Sequence, residues 1–396
     1  AMAHEQWIIT LALAPLTLLL FGQFSVVGLL ANALAIPWIT LVVTPLAMLG
    51  VLLPLAWDVA STAIAVLMAV LQWMAALPGA TVALARAPLW MGVLAVLGGV
   101  ALVLPWSWGL RLWGATWMLP LLLWQAQRVP QGQFELLAPD IGQGNAVLVR
   151  TAGHALLYDA GPRYSLESDA GHRVIVPLLQ ALQVRLDTLV LSHRDTDHVG
   201  GAAAVLAQQP QANWIGSLAN DSNAILPRPG VRCEAGMHWQ WDGVRFEVLH
   251  PLAVDYQQAR KPNALSCVLR ITAGSQVALL VGDIEEPQEA ALLARERDLR
   301  AFVLLVPHHG SKTSSSAAFL DAVAPHVALV QAGYRNRFGH PAAAVVQRYT
   351  MQGVAVVDSP HCGAWTWQSW RTDAPQGQCQ RDLARRYWHH QYQQPS

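Results

Sequence analysis

Charge is what this sequence has least of. Only 13% of its 396 residues are Asp, Glu, Lys or Arg, against 54% hydrophobic, whereas soluble domains run near 25% charged. That excludes a disordered or highly charged chain and fits a single soluble domain poorly. The scarcity is local. Residues 1–132 hold Glu5, Asp58, Arg86, Arg111 and Arg128 and no other charge, leaving 23 of the 25 acids and 22 of the 25 bases for residues 133–396. An excess of either sign is missing too, so nothing pulls the whole chain toward nucleic acid; a nucleic-acid site would rest on a local basic patch or a metal. The four cysteines, Cys233, Cys267, Cys362 and Cys379, include no CxxC. They support neither a zinc knuckle nor a disulfide framework, although Cys362 and Cys379 are free to pair in an oxidising compartment. There is no internal repeat.

What fills the charge-poor part is apolar. Runs at 8–21, 37–55, 59–77, 90–105 and 112–124 are separated by short breaks. A bilayer asks for about 20 apolar residues per helix, so the middle three qualify and the outer two are marginal. The segment 26–36 reads as an interfacial or re-entrant helix before Pro37. Trp38, Trp57, Trp73, Trp90 and Trp106 sit near run ends, as an interfacial aromatic belt would place them. A secretory signal peptide is the rival for the first run, but further runs follow at once with no small-residue cleavage site. The expectation is an α-helical transmembrane bundle of four or five spans over 1–130. The chain opens inside a hydrophobic stretch with Ala-Met-Ala, as a fragment of something longer would.

From residue 131 to 375 the texture becomes mixed α/β, followed by a polar tail at 376–396. Strands are expected at 134–137, 146–150, 155–158, 188–191, 245–249, 266–271, 276–280, 302–306, 327–330 and 354–357. Helices are expected at 174–182, 202–208, 287–293, 316–323 and 342–352.

The densest chemistry is LSHRDTDHVGG at 191–201. A strand runs into His193, Asp195, Asp197 and His198, and alternate positions on an extended loop point the same way. Two imidazoles and two carboxylates at this spacing suit a pair of divalent cations; a solvated Asp/His turn is the bland rival. Asp283 closes the strand ALLVGD, where it can bridge two metals or merely cap a helix. His308 and His309 close LLVPHHGSK, ahead of Ser311 and Lys312. Asp140 and Asn145 in DIGQGN, and Asp159 in YDAG, end two earlier strands, where ordinary turn chemistry is an even rival. His340 in GHP reaches substrate or caps the next helix.

Together these residues resemble the metallo-β-lactamase fold, an αββα sandwich with a dinuclear site at one sheet edge and the signature His-x-His-x-Asp-His. Asp195 takes the second His position here. In finer detail, the order DxGQGxA, LxDxG, SHxDxDHxGG, a Gly-Asp strand end and VPHHGSKTS is similar to the ComEC family of competence DNA-uptake channels. LLANALAIPWITLVVTPLAMLG at 29–50 is similar to that family's membrane domain. The resemblance implies the metal ligands His193, Asp195, Asp197, His198, Asp283 and one of His308 and His309, with His309 preferred. It implies two divalent ions, Mn2+ or Zn2+ with Mg2+ a third option, and the oxygen-rich donor set leans toward Mn2+ or Mg2+. Asp197 or Asp283 would orient the nucleophile, with Lys312 and Arg194 as candidates for phosphate charge, a solvated surface base being an even rival for Arg194. Substrate contacts would come from Asp140, Asp159, Asn263, Ser266, His308, Ser311 and His340. The His common before the bridging Asp has no counterpart, since Asn263-Ala-Leu-Ser266 stands there, and Asn145 replaces an acid.

By the same resemblance the protein would sit in the bacterial inner membrane as a multi-pass component of the DNA-uptake machinery. Its partners would be DNA, the bilayer and other uptake proteins, and its nuclease would degrade the non-imported strand. Two other functions stay open: a hydrolase of a small ester, lactone or phosphodiester, and a transport module with a vestigial metal site.

Overall fold

The computed structural model describes residues 2–85, 87–218, 226–257, 260–296, 298–387 and 389. The chain divides into two compact units, Ala1–Gln127 with Gln180–Gln183, and Arg128–Leu179 with Val184–Ser396.

The first unit is helical. Its elements are α1 (Met2–Phe21), β1 (Gln23–Ser25), α2 (Gly28–Leu49), α3 (Leu55–Ala75), β2 (Thr81–Ala83), α4 (Leu89–Val103) and α5 (Trp108–Thr116). β1 and β2 form a small antiparallel pair. Among the described residues two helices are long and apolar enough to cross a membrane, α2 with 22 residues and α3 with 21. The expected count of four or five spans therefore changes in two places. The segment 26–36 is no separate interfacial helix: past Pro37 the backbone continues through a π-helical turn at Ile39–Val43 into Thr44–Leu49. A π turn re-routes the hydrogen bonds that an internal proline disrupts, so the apolar run stays one helix. The last run breaks into Trp108–Thr116 and Leu119–Leu122, with Pro120 in the first turn of the second piece. Ala12–Phe21 and α4 are apolar but shorter.

The second unit is a sandwich of two sheets. An eight-stranded sheet runs β8-β7-β6-β5-β4-β3-β16-β17, built from β3 (Glu135–Ala138), β4 (Val147–Arg150), β5 (Ala155–Tyr158), β6 (Thr188–Leu191), β7 (Asn213–Gly216), β8 (Val231–Arg232), β16 (Trp365–Gln368) and β17 (Gln378–Cys379). A seven-stranded sheet runs β9 to β15 in order: β9 (His238–Trp241), β10 (Val244–His250), β11 (Val268–Ala273), β12 (Gln276–Leu280), β13 (Val303–Leu305), β14 (Val327–Val330) and β15 (Ala355–Asp358). All ten sequence-expected strands are present. The additional strands β7, β8, β9, β16 and β17 are short: HWQW in β9 and WTWQ in β16 alternate polar with apolar, but over too few residues to announce a strand.

Side-chain alternation explains why two layers form. Val303 and Leu305 of β13 and Val327 and Leu329 of β14 enter the core between the sheets, with Phe246, Leu269, Trp365 and Trp367. Their neighbours Leu304, Ala328 and Val330 face the other way, into a second core with Leu292, Phe319, Leu320 and Tyr349. Those partners come from helices α8 (Glu286–Arg295), α9 (Ala317–Val323) and α10 (Ala343–Met351). A strand buried on both faces reads as a continuous apolar run, which is how these were recognisable. On the first sheet, α6 (Val176–Ala181) and α7 (Ala202–Gln208) are the crossovers between the parallel pairs β5/β6 and β6/β7.

Cys362 pairs with Cys379, and Cys233 with Cys267. The second pair corrects the expectation of at most one disulfide. Its partners lie 34 positions apart, and only the meeting of the β8 end with the start of β11 brings them together.

Candidate metal centre

Parallel strands from both sheets end on one edge. β5 delivers Asp159, β6 delivers Ser192 and His193, β12 delivers Asp283, β13 delivers His308 and His309, and β14 delivers Gln331. Asp197 and His198 follow β6 on a short helical turn, Thr196–Val199. Gly282, at φ 55, permits the approach of the Asp283 segment: a Cβ there would lie 2.8 Å from that of Ser192. His308 and His309 both hold left-handed backbone, φ 51 and 53. Two non-glycine residues in that region persist only where their surroundings enforce it. Here His308 N–H donates to Gly282 O at 3.1 Å and His309 Nδ1 to Gln331 O at 2.8 Å.

Two overlapping groups of possible ligand atoms result: His193, His198 and Asp283, and Asp197, His198 and His309. His198 Nε2 lies 3.2 Å from Asp283 Oδ1 and 3.9 Å from Asp197 Oδ1. His309 Nε2 lies 3.3 Å from Asp197 Oδ2 and 3.5 Å from Asp283 Oδ2, and His193 Nε2 is 4.0 Å from the same Asp283 oxygen. Asp283 thus turns one oxygen to His198 and the other to His193 and His309, the posture of a carboxylate between two cations.

The outer nitrogens are all spoken for. His198 Nδ1 donates to Asp159 Oδ2 at 2.8 Å, His193 Nδ1 is 3.0 Å from Ser192 Oγ, and His309 Nδ1 is on Gln331 O. A proton on each Nδ1 leaves the Nε2 lone pair facing the centre, the arrangement that orients imidazole for a metal. His193 Nε2, His198 Nε2, His309 Nε2 and Asp283 Oδ1 are buried and have no hydrogen-bond partner. A buried polar atom without a partner costs about 1–3 kcal/mol, so four converging on one point fit a group the protein itself does not supply. The donor set, imidazole and carboxylate, fits divalent cations.

Electrostatics point the same way. Burial alone would lower the pKa of His198, but Asp283 and Asp159 raise it well above the usual imidazole value. His309 is raised against its burial by Asp283 and Asp197. Burial would raise Asp197, yet the His309 and His198 imidazoles beside it hold it at about 2. Asp283 is held well below the carboxylate range, its own burial outweighed by His198 and His309. The cluster therefore draws positive charge inward, a demand that protons or metal cations can meet.

The other sequence candidates lie around the ligand groups. Asp195 stands at the rim, 44% exposed and 3.6 Å from His193 Nε2, outside both ligand groups. His308 is also outer: its Nε2 is 3.8 Å from Asp283 Oδ2, with Asn263 Nδ2 at 3.4 Å and Glu285 beyond its Nδ1. His340 stacks with its ring centroid 6.4 Å from His309 and 5.7 Å from His308. Lys312 is exposed, and Ser311 is buried in its turn with Thr313.

Two expected substrate contacts are corrected, and a third, Asp140, is engaged elsewhere with its side chain 32% exposed. Asp159 is fully buried and accepts from Ser192 N and Oγ as well as from His198, so it stands behind a ligand. Ser266 is equally enclosed, its Oγ taking Asp283 N–H and lying 3.4 Å from His193 Nδ1. Asp140 is held in its own turn by Gly142 N–H and by Arg381 at 3.0 Å. Sequence reasoning missed Ser192 and Gln331. Ser192 was visible inside the motif between strand and first ligand; Gln331, at the end of an apolar strand, gave no signal.

A two-layer sandwich with a His/Asp cluster at the strand ends defines a metallo-β-lactamase-fold domain, and the family model described as "Metallo-beta-lactamase superfamily" matches residues 139–334. The model described as "Competence protein" matches residues 1–109. The chain belongs to the ComEC family of competence proteins. It is 36% identical over 367 residues to the "Competence protein ComA" of Neisseria gonorrhoeae, covering 91% of this chain and 50% of the relative. It is 32% identical over 422 residues to YcaI of Escherichia coli K12, covering 99% and 51%. The chain spans about half the length of these relatives. Among solved structures, the metallo-β-lactamase-fold protein YhfI of Bacillus subtilis covers 60% of this chain at 14% identity, with a TM-score of 0.41.

Proposed function

We propose that the second unit is a metal-dependent phosphodiesterase acting on DNA, within a membrane protein of DNA uptake. The observation that carries the hydrolase reading is the convergence of three unpartnered imidazole Nε2 atoms and Asp283 at one strand edge. The DNA substrate is supported by membership in the competence family and by the "Competence protein" match over 1–109. Residues 1–130 form the membrane domain, 131–375 the hydrolase and 376–396 a tail. α2 and α3 are the spans best supported, and α1 and α4 are shorter candidates for a multi-pass arrangement in the bacterial inner membrane.

His193, His198, Asp283, Asp197 and His309 would hold two divalent cations, with Asp195 at the open rim. Such cations supply Lewis acidity toward a water and a phosphate oxygen. Asp159, Ser192, Ser266 and Gln331 fix the ligand rings from behind. Asp197, with its side chain 31% exposed, is the ligand-group carboxylate placed to orient an attacking water on the open side. Lys312 and Arg194 add positive charge for the phosphate.

The test uses the 396-residue chain in detergent, loaded with Mn2+ and given end-labelled single- and double-stranded DNA. Cleavage lost in Asp197→Ala is expected. A wild-type chain that binds metal, melts cooperatively and leaves DNA intact would sink the nuclease, and a panel of small esters and lactones would then identify a hydrolase of another kind.

A further inference from the structure

Beside the metal centre lies a separate cavity of about 270 Å3 whose walls carry three arginines, Arg194, Arg232 and Arg260, with Tyr256 and Ser217. The two sites share structure. Arg194 stands in the chain between His193 and Asp195, and Ser217 Oγ donates to Ser192 O at 2.8 Å, immediately before the first ligand. Leu265, also in the wall, precedes Ser266, which holds Asp283 N–H.

Arg232 and Arg260 are aimed rather than loose. Arg232 lies over the Tyr256 ring at 4.8 Å and pairs with Glu234 at 2.9 Å. Arg260 pairs with Asp255 at 3.0 Å. Tyr256 is itself tied down, its hydroxyl donating to Cys233 O. Neither Glu234 nor Asp255 is part of the cavity wall. A guanidinium has five N–H donors in a fixed fork, so one carboxylate orients each of Arg232 and Arg260 without exhausting it. Two such forks, with the exposed Arg194 beside them, around one cavity on a chain with no net charge select an oxyanion bound through several donors at once, which describes phosphate.

We propose that this cavity seats a phosphate of the substrate strand adjacent to the phosphodiester presented to the metal centre. The proposal rests on the DNA-phosphodiesterase reading above and deepens it: the cavity sets where along the strand the cut falls. The phosphate comes either from within the strand or from its 5′ end.

Arg232→Gln is the cleaner probe, because its partner Glu234 is partly exposed; Arg260→Gln is the second, with thermal melting as the folding check. The 396-residue chain in detergent with Mn2+ is assayed on circular single-stranded DNA and on linear oligonucleotides with and without a 5′-phosphate. The reference substrate is bis(p-nitrophenyl) phosphate, which has no neighbouring phosphate. Loss of one charge-assisted contact predicts a KM for DNA raised about tenfold, a salt slope reduced by about 0.7 per arginine, and unchanged turnover of the small diester. An effect confined to 5′-phosphorylated linear DNA assigns the terminal phosphate; an effect on all three assigns an internal one. Unchanged KM for DNA in both folded variants, or an equal loss on the small diester, overturns the proposal. Binding of a labelled oligonucleotide in EDTA separates this from failure of the nuclease: arginine-dependent binding without any cutting leaves the cavity standing and removes the hydrolase.

Discussion

The carboxylate behind His198 gives the sharpest test of the centre. Asp159→Asn preserves size, and asparagine tolerates the left-handed backbone found there, φ 58, so the fold is spared. The chemistry is not. Asp159 accepts three hydrogen bonds, from Ser192 N at 2.7 Å, Ser192 Oγ at 2.8 Å and His198 Nδ1 at 2.8 Å. An asparagine oxygen can keep the backbone bond, but its NH2 then meets His198 Nδ1 as a donor. The imidazole responds by accepting at Nδ1 and carrying its proton on Nε2, the atom that must present a lone pair to the metal. Loss of an orienting partner of this kind weakens metal affinity about 10- to 100-fold, which is about 1.4–2.8 kcal/mol. The assay is chelator competition for Mn2+ and Zn2+ on wild type and variant, with thermal melting without metal as the control for folding. An affinity within twofold of wild type, in a variant with an unchanged metal-free melting temperature, would refute the tautomer argument and with it the assignment of His198 as an Nε2 ligand.

Two further outcomes follow from packing. Gly201→Ala would put a Cβ 2.4 Å from both Ala160 O and Gly171 N, backbone atoms that cannot step aside; the variant should lose several kcal/mol of stability, of the class about 4 or more seen for severe substitutions, and recovery of soluble protein with a wild-type melting curve would contradict the packing described. Cys362→Ser with Cys379→Ser opens a 17-residue separation and should cost about 3 kcal/mol in unfolding free energy, while unreduced wild type, denatured and titrated, should show no reactive thiol.

Much of the second unit was legible because its chemistry lies at the ends of strands buried on both faces. TLVL before His193, ALLV before Asp283 and VLLV before His308 are apolar runs that give way within two residues to a polar side chain, so strand and ligand declare one another. The residues behind the ligands were harder to assign. Asp159 and Ser266 look like any polar residue after or before a strand, and whether such a side chain faces substrate or the rear of an imidazole depends on which strand lies beside it in the sheet. That adjacency is non-local: β5 neighbours β6 across a crossover, and β11 neighbours β12 across a hairpin. Gln331 and the Cys233–Cys267 pair were hidden for the same reason. In the first unit composition revealed apolar runs well but not their continuity, because Pro37 looks like a break and is carried through by a π turn instead.

One geometric fact links the metal centre to the arginine cavity. In both sheets the strands that bear chemistry run parallel: β5, β6, β7 and β8 in one, β12, β13, β14 and β15 in the other. Parallel strands finish on a common edge, and in open α/β sheets ligands bind outside those carboxyl ends. The ligands follow β6, β12 and β13. Ser217 follows β7, Arg232 closes β8, and Arg194 belongs to the loop after β6. Along one sheet edge the groups therefore change from metal ligands to phosphate-binding guanidinium within two strands. Neighbouring strands lie about 4.8 Å apart, so that interval is about 10 Å, a span that a nucleic-acid strand covers in one to two phosphate steps and that a single small ester does not reach. A substrate that uses both places must carry more than one phosphate along a chain, and this is the physical reason to favour a polynucleotide over a small ester or lactone at this centre.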